Sequence, residues 1–167
     1  MKKLILAICA AGCALPAAAD VVVRFQESAP KDSFSIVNEG SCGVANAEIE
    51  LDLSTSASGL IFDVTATGAG VSVFQPLELV AGQDYLSTVP EVSDGDNKLN
   101  LSVETLAPSA EIAFTIDIDD TAGVSETMVS GAEIQDAQVA ITINGATHSG
   151  NFGTDGVARI ALNTCSA

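Results

Sequence analysis

Apolar residues recur at every second position along most of this chain. Val21, Val23 and Phe25 alternate with Val22, Arg24 and Gln26. Phe34 and Ile36 alternate with Ser33 and Ser35, and Ile49, Leu51 and Leu53 with Glu48, Glu50 and Asp52. The pattern continues through Leu60, Phe62 and Val64, Val71 and Val73, Leu77 and Leu79, and Leu99, Leu101 and Val103. It resumes in Ile112, Phe114, Ile116 and Ile118, in Val139, Ile141 and Ile143, and in Ile160 and Leu162. A period of two puts alternate side chains on opposite faces of a strand, so each run predicts a strand with one buried face. No segment shows helical periodicity over three turns. The stretch from Thr121 to Gln138 is the least patterned and reads as a long loop or a single helical turn.

Turn chemistry separates the runs. Ala29-Pro30-Lys31-Asp32, Asn38-Glu39-Gly40, Ser93-Asp94-Gly95-Asp96-Asn97 and Gly153-Thr154-Asp155-Gly156 all suit tight turns. Asn144-Gly145, set between two alternating runs, is the strongest hairpin signal. Short strands at this spacing predict an all-β, antiparallel sandwich of about eight to ten strands. Six Phe, one Tyr and no Trp point to a core packed mainly by Val, Ile and Leu.

The first residues read as an export signal. Met1-Lys2-Lys3 is basic, Leu4 to Leu15 is apolar, and Pro16-Ala17-Ala18-Ala19 ends in small residues. Cleavage is expected after Ala19, giving a signal peptide over 1–19 and a β-sandwich domain over 20–167. The apolar run is shorter than the roughly 20 residues needed to cross a bilayer. A lipidated Cys13 ranks below ordinary cleavage, because Ala10 stands where a lipobox usually has Leu. The expected product is exported, periplasmic or extracellular, with no membrane insertion after cleavage.

Removal of Cys9 and Cys13 with the leader leaves Cys42 and Cys165, which we expect to form one disulfide in an oxidising compartment. The alternative is two buried thiols. A metal site on them is disfavoured, because His148 is the sole histidine and no CxxC spacing occurs. The leader carries two of the six basic residues and none of the 22 acidic ones, so four cations then face 22 carboxylates, a net charge of −18. Such a charge favours solubility and repels nucleic acid and anionic membranes.

Asp32-Ser33-Phe34-Ser35-Ile36-Val37-Asn38-Glu39-Gly40, Ala47 to Leu53 and Gly59-Leu60-Ile61-Phe62-Asp63 resemble exported immunoglobulin-like modules of the CARDB and DUF11 type. Leu106 to Ile116 is similar to a later edge of those modules. Arg24-Phe25 with Ala29 to Asp32, Val73-Phe74-Gln75-Pro76 and Phe114 to Asp120 resemble small exported bacterial proteins labelled aggregation factor core. The resemblance implies an Ig-like sandwich, surface adhesion and calcium as an assisting ion. It carries over no catalytic residue.

Clustered carboxylates are the main chemical candidates. Asp117 and Asp119 share a side if the strand is regular, and Asp120 is expected to open the next loop. Together they are the candidate Ca2+ ligands, needing partners from another loop because calcium takes six to eight oxygens. The alternative is a solvated acidic turn. Asp94, Asp96 and Asn97 share one turn, and Asp155 sits in another. Glu48, Glu50 and Asp52 line one strand face, read as a solvent face that blunts edge pairing. His148 invites a Ser–His–Asp reading, but no Gly-x-Ser-x-Gly elbow accompanies it. A blue-copper site would need a second histidine. Paired carboxylates for glycoside cleavage lack the aromatic rings that sugars stack on, and Asn100-Leu101-Ser102 reads as a chance sequon.

The leading expectation is a non-enzymatic exported sandwich that adheres to a protein or surface glycan partner, with Ca2+ as the one cofactor considered. The alternatives are a pilin-like or coat-like structural subunit, in which an exposed strand pairs with another copy, and a small periplasmic hydrolase.

Overall fold

The computed structural model describes residues 20–65, 75–121 and 129–162. Among them the alternating runs form eleven strands, nearly all predicted from the pattern. They are β1 (Val21–Gln26), β2 (Asp32–Asn38), β3 (Val44–Asp52), β4 (Leu60–Phe62), β5 (Glu78–Ala81), β6 (Lys98–Leu106), β7 (Glu111–Ile116), β8 (Ile118–Asp120), β9 (Gln138–Ile143), β10 (Ala146–Asn151) and β11 (Val157–Ile160). The run at Val71 and Val73 lies outside the described residues. The chain is an all-β protein with antiparallel pairing throughout its strands.

One sheet has the order β11-β1-β2-β7-β5, the second β10-β9-β3-β6, and β4 pairs with β8 in a small ribbon. Inward residues of the two larger sheets meet in one core. Val21, Val23, Phe34, Ile36, Ile112 and Ile116 come from the first, and Ile49, Leu51, Leu99, Leu101, Val139 and Ile141 from the second, each at most 3 % exposed. Alternation alone suffices for this, because every second side chain of a strand faces the same way. Its phase changes once within β3. Asn46 takes φ of 48°, and buried Val44 is followed by buried Ala47 rather than by residue 46.

The core is less purely aliphatic than its composition implies. Phe25, Phe34 and Phe114 stand in register across β1, β2 and β7. Phe34 stacks on Phe114 at 5.2 Å and tilts against Phe25 at 5.3 Å, while Phe152 approaches edge-on at 6.5 Å. All five phenylalanines among the described residues are buried, and cross-strand register brings Phe25, Phe34 and Phe114 together although they lie far apart in sequence.

The sheet edges are closed or bent. At one side β10 and β11 approach so closely that a Cβ on Gly150 would lie 2.5 Å from the Arg159 carbonyl oxygen. At the other, β5 pairs with β7 through a register shift between Leu79 and Ala81, which leaves Val80 67 % exposed. The chain then turns through a single 3-10 turn (Gln83–Tyr85) and lays Leu86 against Val103 of β6. Ser87 N–H donates to the Ser102 carbonyl at 2.9 Å, covering that strand's outer edge. Bulges and covered edges hinder strand addition by a second chain.

The Asn144-Gly145 hairpin forms as expected between β9 and β10. Both residues have positive φ, 51° and 80°, the requirement of a type I′ turn. In the weakly patterned stretch, residues 122–128 lie outside the described set. Val129, Ile134 and Ala137 are buried beneath turns rather than on a helix.

Candidate functional site

At one end of the sandwich four chain segments bring carboxylates together. β2 begins there with Asp32, whose Cα partner across the sheet is Ile116. β4 runs out into Asp63, whose N–H donates to the Asp117 carbonyl at 3.0 Å. The 93–97 turn docks on the same place: Phe62 N–H donates to the Asp96 carbonyl at 2.8 Å, and Gly95 N–H to the Phe62 carbonyl at 2.9 Å. β7 and β8 supply Asp117 at their junction and Asp119 beyond it.

The turn is shaped locally. Gly95 has φ of 79°, and the Ser93 N–H donates to Asp96 Oδ2 at 2.8 Å. Asp94 Oδ1 accepts from the N–H groups of Val64 and Thr65 at 2.9 and 3.0 Å, which holds its carboxylate beside residue 63. Asp63 is fully buried, at 0 % exposure, and neither of its oxygens has a hydrogen-bond partner. Asp32 is 2 % exposed, and its Oδ1 accepts from Ser28 N–H at 3.2 Å. Asp119, at 6 % exposure, accepts from the Asp120 N–H through Oδ1 at 2.8 Å.

Burial and mutual repulsion shift these acids upward. Burial raises Asp32 to about 7 against the bonds from Ser28 and Ile118. Burial, then the charges of Asp32, Asp63 and Asp119, raise Asp117 to about 7, with Lys31 opposing. Burial and the adjoining Asp94 carboxylate raise Asp63 to about 6. One cation lies near this end, buried and without a hydrogen bond. Lys31 Nζ, on a side chain only 11 % exposed, lies 3.0 Å from Glu78 Oε2.

Of the three acids proposed from sequence as calcium ligands, Asp117 and Asp119 join this cluster. Asp120 closes β8, opposite Leu60, rather than opening a loop. Sequence reasoning missed Asp32 and Asp63. Each ends or begins a predicted strand beside a turn, where an aspartate ordinarily faces water, and only tertiary contacts bury them. Among the described residues, no three His, Cys, Asp or Glu side chains form a ready-made metal-ligand group.

The other candidates lie apart. The Glu48, Glu50 and Asp52 stripe belongs to a central strand, because β9 and β6 flank β3 on both sides. Edge protection therefore does not explain it. Cross-strand partners do: Lys98 Nζ lies 3.0 Å from Glu50 and 2.8 Å from Asp52, and Ser102 Oγ donates to Glu48 at 2.8 Å. Lys98 holds the Asp52 carboxyl below its usual range despite some burial. His148 sits half-buried on β10 across from Ile141, and among the described residues no hydrogen bond ties it to a serine or a carboxylate. Cys42 lies in the β2–β3 loop, where its carbonyl accepts from Asn38 Nδ2 at 2.8 Å. Its expected partner Cys165 is outside the described residues, as is the signal segment.

A shallow hollow of about 310 Å³ opens over the outward face of β1, β2 and β7. Arg24, Gln26, Ser33, Ser35 and Thr115 form much of its lining. Arg24 pairs with Glu39 at 2.6 Å.

No family model matches the chain, and no curated protein is significantly similar to it. Among solved structures it is similar to a carbohydrate-binding module, CBM3b, from the cellulosomal cellobiohydrolase 9A of Clostridium thermocellum. That pair has 16 % identity and a TM-score of 0.34, over 77 % of this chain and 94 % of that one. It is also similar to CBM3b of the major scaffoldin subunit of Acetivibrio cellulolyticus, at 10 % identity and a TM-score of 0.33, over 87 % and 97 % of the two chains. A third similarity is to a family GH18 chitinase from Chromobacterium violaceum, at 14 % identity and a TM-score of 0.35, over 81 % of this chain and 19 % of that one. Likeness at this level says nothing of what this chain binds.

Proposed function

We propose that this chain is an exported, non-enzymatic β-sandwich that works by binding a protein or glycan partner in cell-surface or matrix adhesion. The observation that carries the reading lies on the outer side of β1, β2 and β7. There Ser33, Ser35 and Thr115 present short hydroxyl side chains around a shallow hollow, with the Arg24 guanidinium and Gln26 amide at its border. A hollow that sets hydroxyl, guanidinium and amide groups beside the apolar surface of Val80 and Ala113 suits a weak contact with a partner offering both kinds of group. The bent and covered sheet edges favour this reading over a structural subunit built by strand exchange.

Binding of the purified protein to glycan arrays and to cells tests it. Ser35→Arg and Thr115→Arg each place a bulky cation over the hollow, and both residues face outward from their strands. Binding lost in these variants with an unchanged β-type spectrum and melting temperature supports the assignment. Binding that survives both substitutions removes the face from consideration. Turnover on ester or glycoside panels, abolished by His148→Ala, would replace the adhesion reading with a hydrolase.

A further inference from the structure

We infer that the apposed carboxylates of Asp63 and Asp94, with Asp119 beside them, form a binding site for a divalent cation of the calcium class at the end of the sandwich. The inference is independent of the binding face, which lies on the outside of β1, β2 and β7.

The starting point is Asp63. It is completely buried, and neither oxygen is hydrogen-bonded. A buried carboxylate without a partner is strongly disfavoured, so something must relieve it: a donor, a proton or a cation. Among the described residues the main-chain donors beside it are already engaged. The N–H groups of Val64 and Thr65 both go to Asp94 Oδ1. The N–H of Asp63 itself goes to the Asp117 carbonyl. Lys31 Nζ, buried and without a hydrogen bond, lies 3.0 Å from Glu78 Oε2 and does not reach Asp63 either. A proton shared between Asp63 and Asp94 is the second route. It satisfies one charge of the pair and leaves those of Asp119 and Asp117 next to it. A divalent cation offsets two charges at once.

The donor chemistry favours calcium over magnesium. All the candidate ligands are oxygens, and calcium accepts six to eight of them in irregular geometry, including main-chain carbonyls and water. Magnesium demands a tight octahedron. The site takes two carboxylates from the protein, so main-chain oxygens and water complete the shell. Among the described residues no three such side chains stand together as a metal-ligand group, so Asp63 and Asp94 are the central pair and Asp119 lies outside the immediate shell. Its membership differs from the Asp117, Asp119 and Asp120 set suggested by sequence, because β4 and the 93–97 turn supply the central pair.

The test is calorimetry and thermal melting of the purified, chelator-treated protein at pH 8, with CaCl2 and separately MgCl2. Calcium is expected to raise the melting temperature by several degrees, and magnesium to do less. Asp63→Asn should weaken calcium binding by about tenfold or more, which is the loss of roughly one good ligand. Asp94→Asn should do the same while keeping the oxygen that accepts from Val64 and Thr65, so it reads the site even if the Asp63 variant does not fold. Glu104→Gln, on an exposed acid of β6, should leave the response intact. Calcium responses unchanged in Asp63→Asn and Asp94→Asn overturn the proposal. So does a wild-type protein that ignores calcium, in which case the pair shares a proton instead.

Discussion

The side-chain amide of Asn38 donates to the main-chain carbonyl of Leu106 at 2.9 Å, joining the end of β2 to the end of β6. The same nitrogen donates to Cys42 at 2.8 Å, and Asn38 Oδ1 accepts from Gly40 N–H at 3.0 Å. Its main-chain groups pair with Ala110 and Ser109 at 3.1 and 2.7 Å. One buried residue thus ties the two sheets and the β2–β3 loop together. Asn38→Ala leaves three main-chain partners short of a bond, one of them buried and two part-buried, and a loss of about 1–3 kcal/mol is expected. Urea titration of the variant checks it. A midpoint within error of wild type would mean that water replaces the amide.

Two glycines mark close main-chain approaches, Gly150 between the two sheets and Gly82 beside β7 within one of them. A Cβ on Gly150 would stand 2.5 Å from the Arg159 oxygen, and one on Gly82, where φ is 77°, 2.4 Å from the Glu111 oxygen. Both obstacles are main chain, so they cannot swing aside. Gly150→Ala and Gly82→Ala should each cost about 1–3 kcal/mol, with hydrogen exchange quickening at β10–β11 in the first and at β5 in the second. Gly145→Ala, with no neighbouring atom within 4 Å of the added carbon, should cost only the strain of its positive φ, about 1 kcal/mol.

Stability should fall as pH rises from about 4 to about 7. Asp32, Asp63 and Asp117 hold protons in the folded state up to about 7, 6 and 7, against 3.8 in the unfolded chain. The folded state therefore binds more protons between these limits, and the stabilisation is complete below about pH 4 and gone above about pH 7. Melting temperatures in calcium-free buffer at pH 5 and pH 8 check this, with pH 5 the higher. Asp32→Asn should flatten the slope, since an amide has no proton to lose. A protein more stable at pH 8 than at pH 5 without added cations would contradict the burial of these acids.

The Cys42–Cys165 bridge remains the expectation from composition. Thiol titration of the denatured, unreduced protein should find no free thiol once the leader is removed. Cys42→Ser should lower stability by about 2–5 kcal/mol, the usual cost of losing a native disulfide. Two titratable thiols in the protein lacking residues 1–19 would dismiss the bridge.

Much of the strand content was legible because its cause is local. Alternation assigns a side chain to one face from its immediate neighbours, and Asn144-Gly145 needs only its own two backbone conformations to make a hairpin. Leu99, Leu101 and Val103 are buried as their period requires. The acidic stripe of β3 was misread for the opposite reason. Whether a strand is central or at an edge depends on β6 and β9, which approach from later in the chain.

Asp119 and Asp94 were among the acids singled out from sequence, but the meeting of Asp63 with Asp94 belongs to that second category. Asp63 ends an apolar run and Asp94 opens a turn, and nothing near either in sequence separates them from solvated acids. What the chain alone determined was which residues face inward and where it turns, because strand pleat and turn conformation act over a few residues. Only the tertiary structure decided which carboxylates lose water and meet. That outcome depends on β2, β4, the 93–97 turn and the β7–β8 junction arriving at one end of the sandwich, through contacts between segments some 30 residues and more apart.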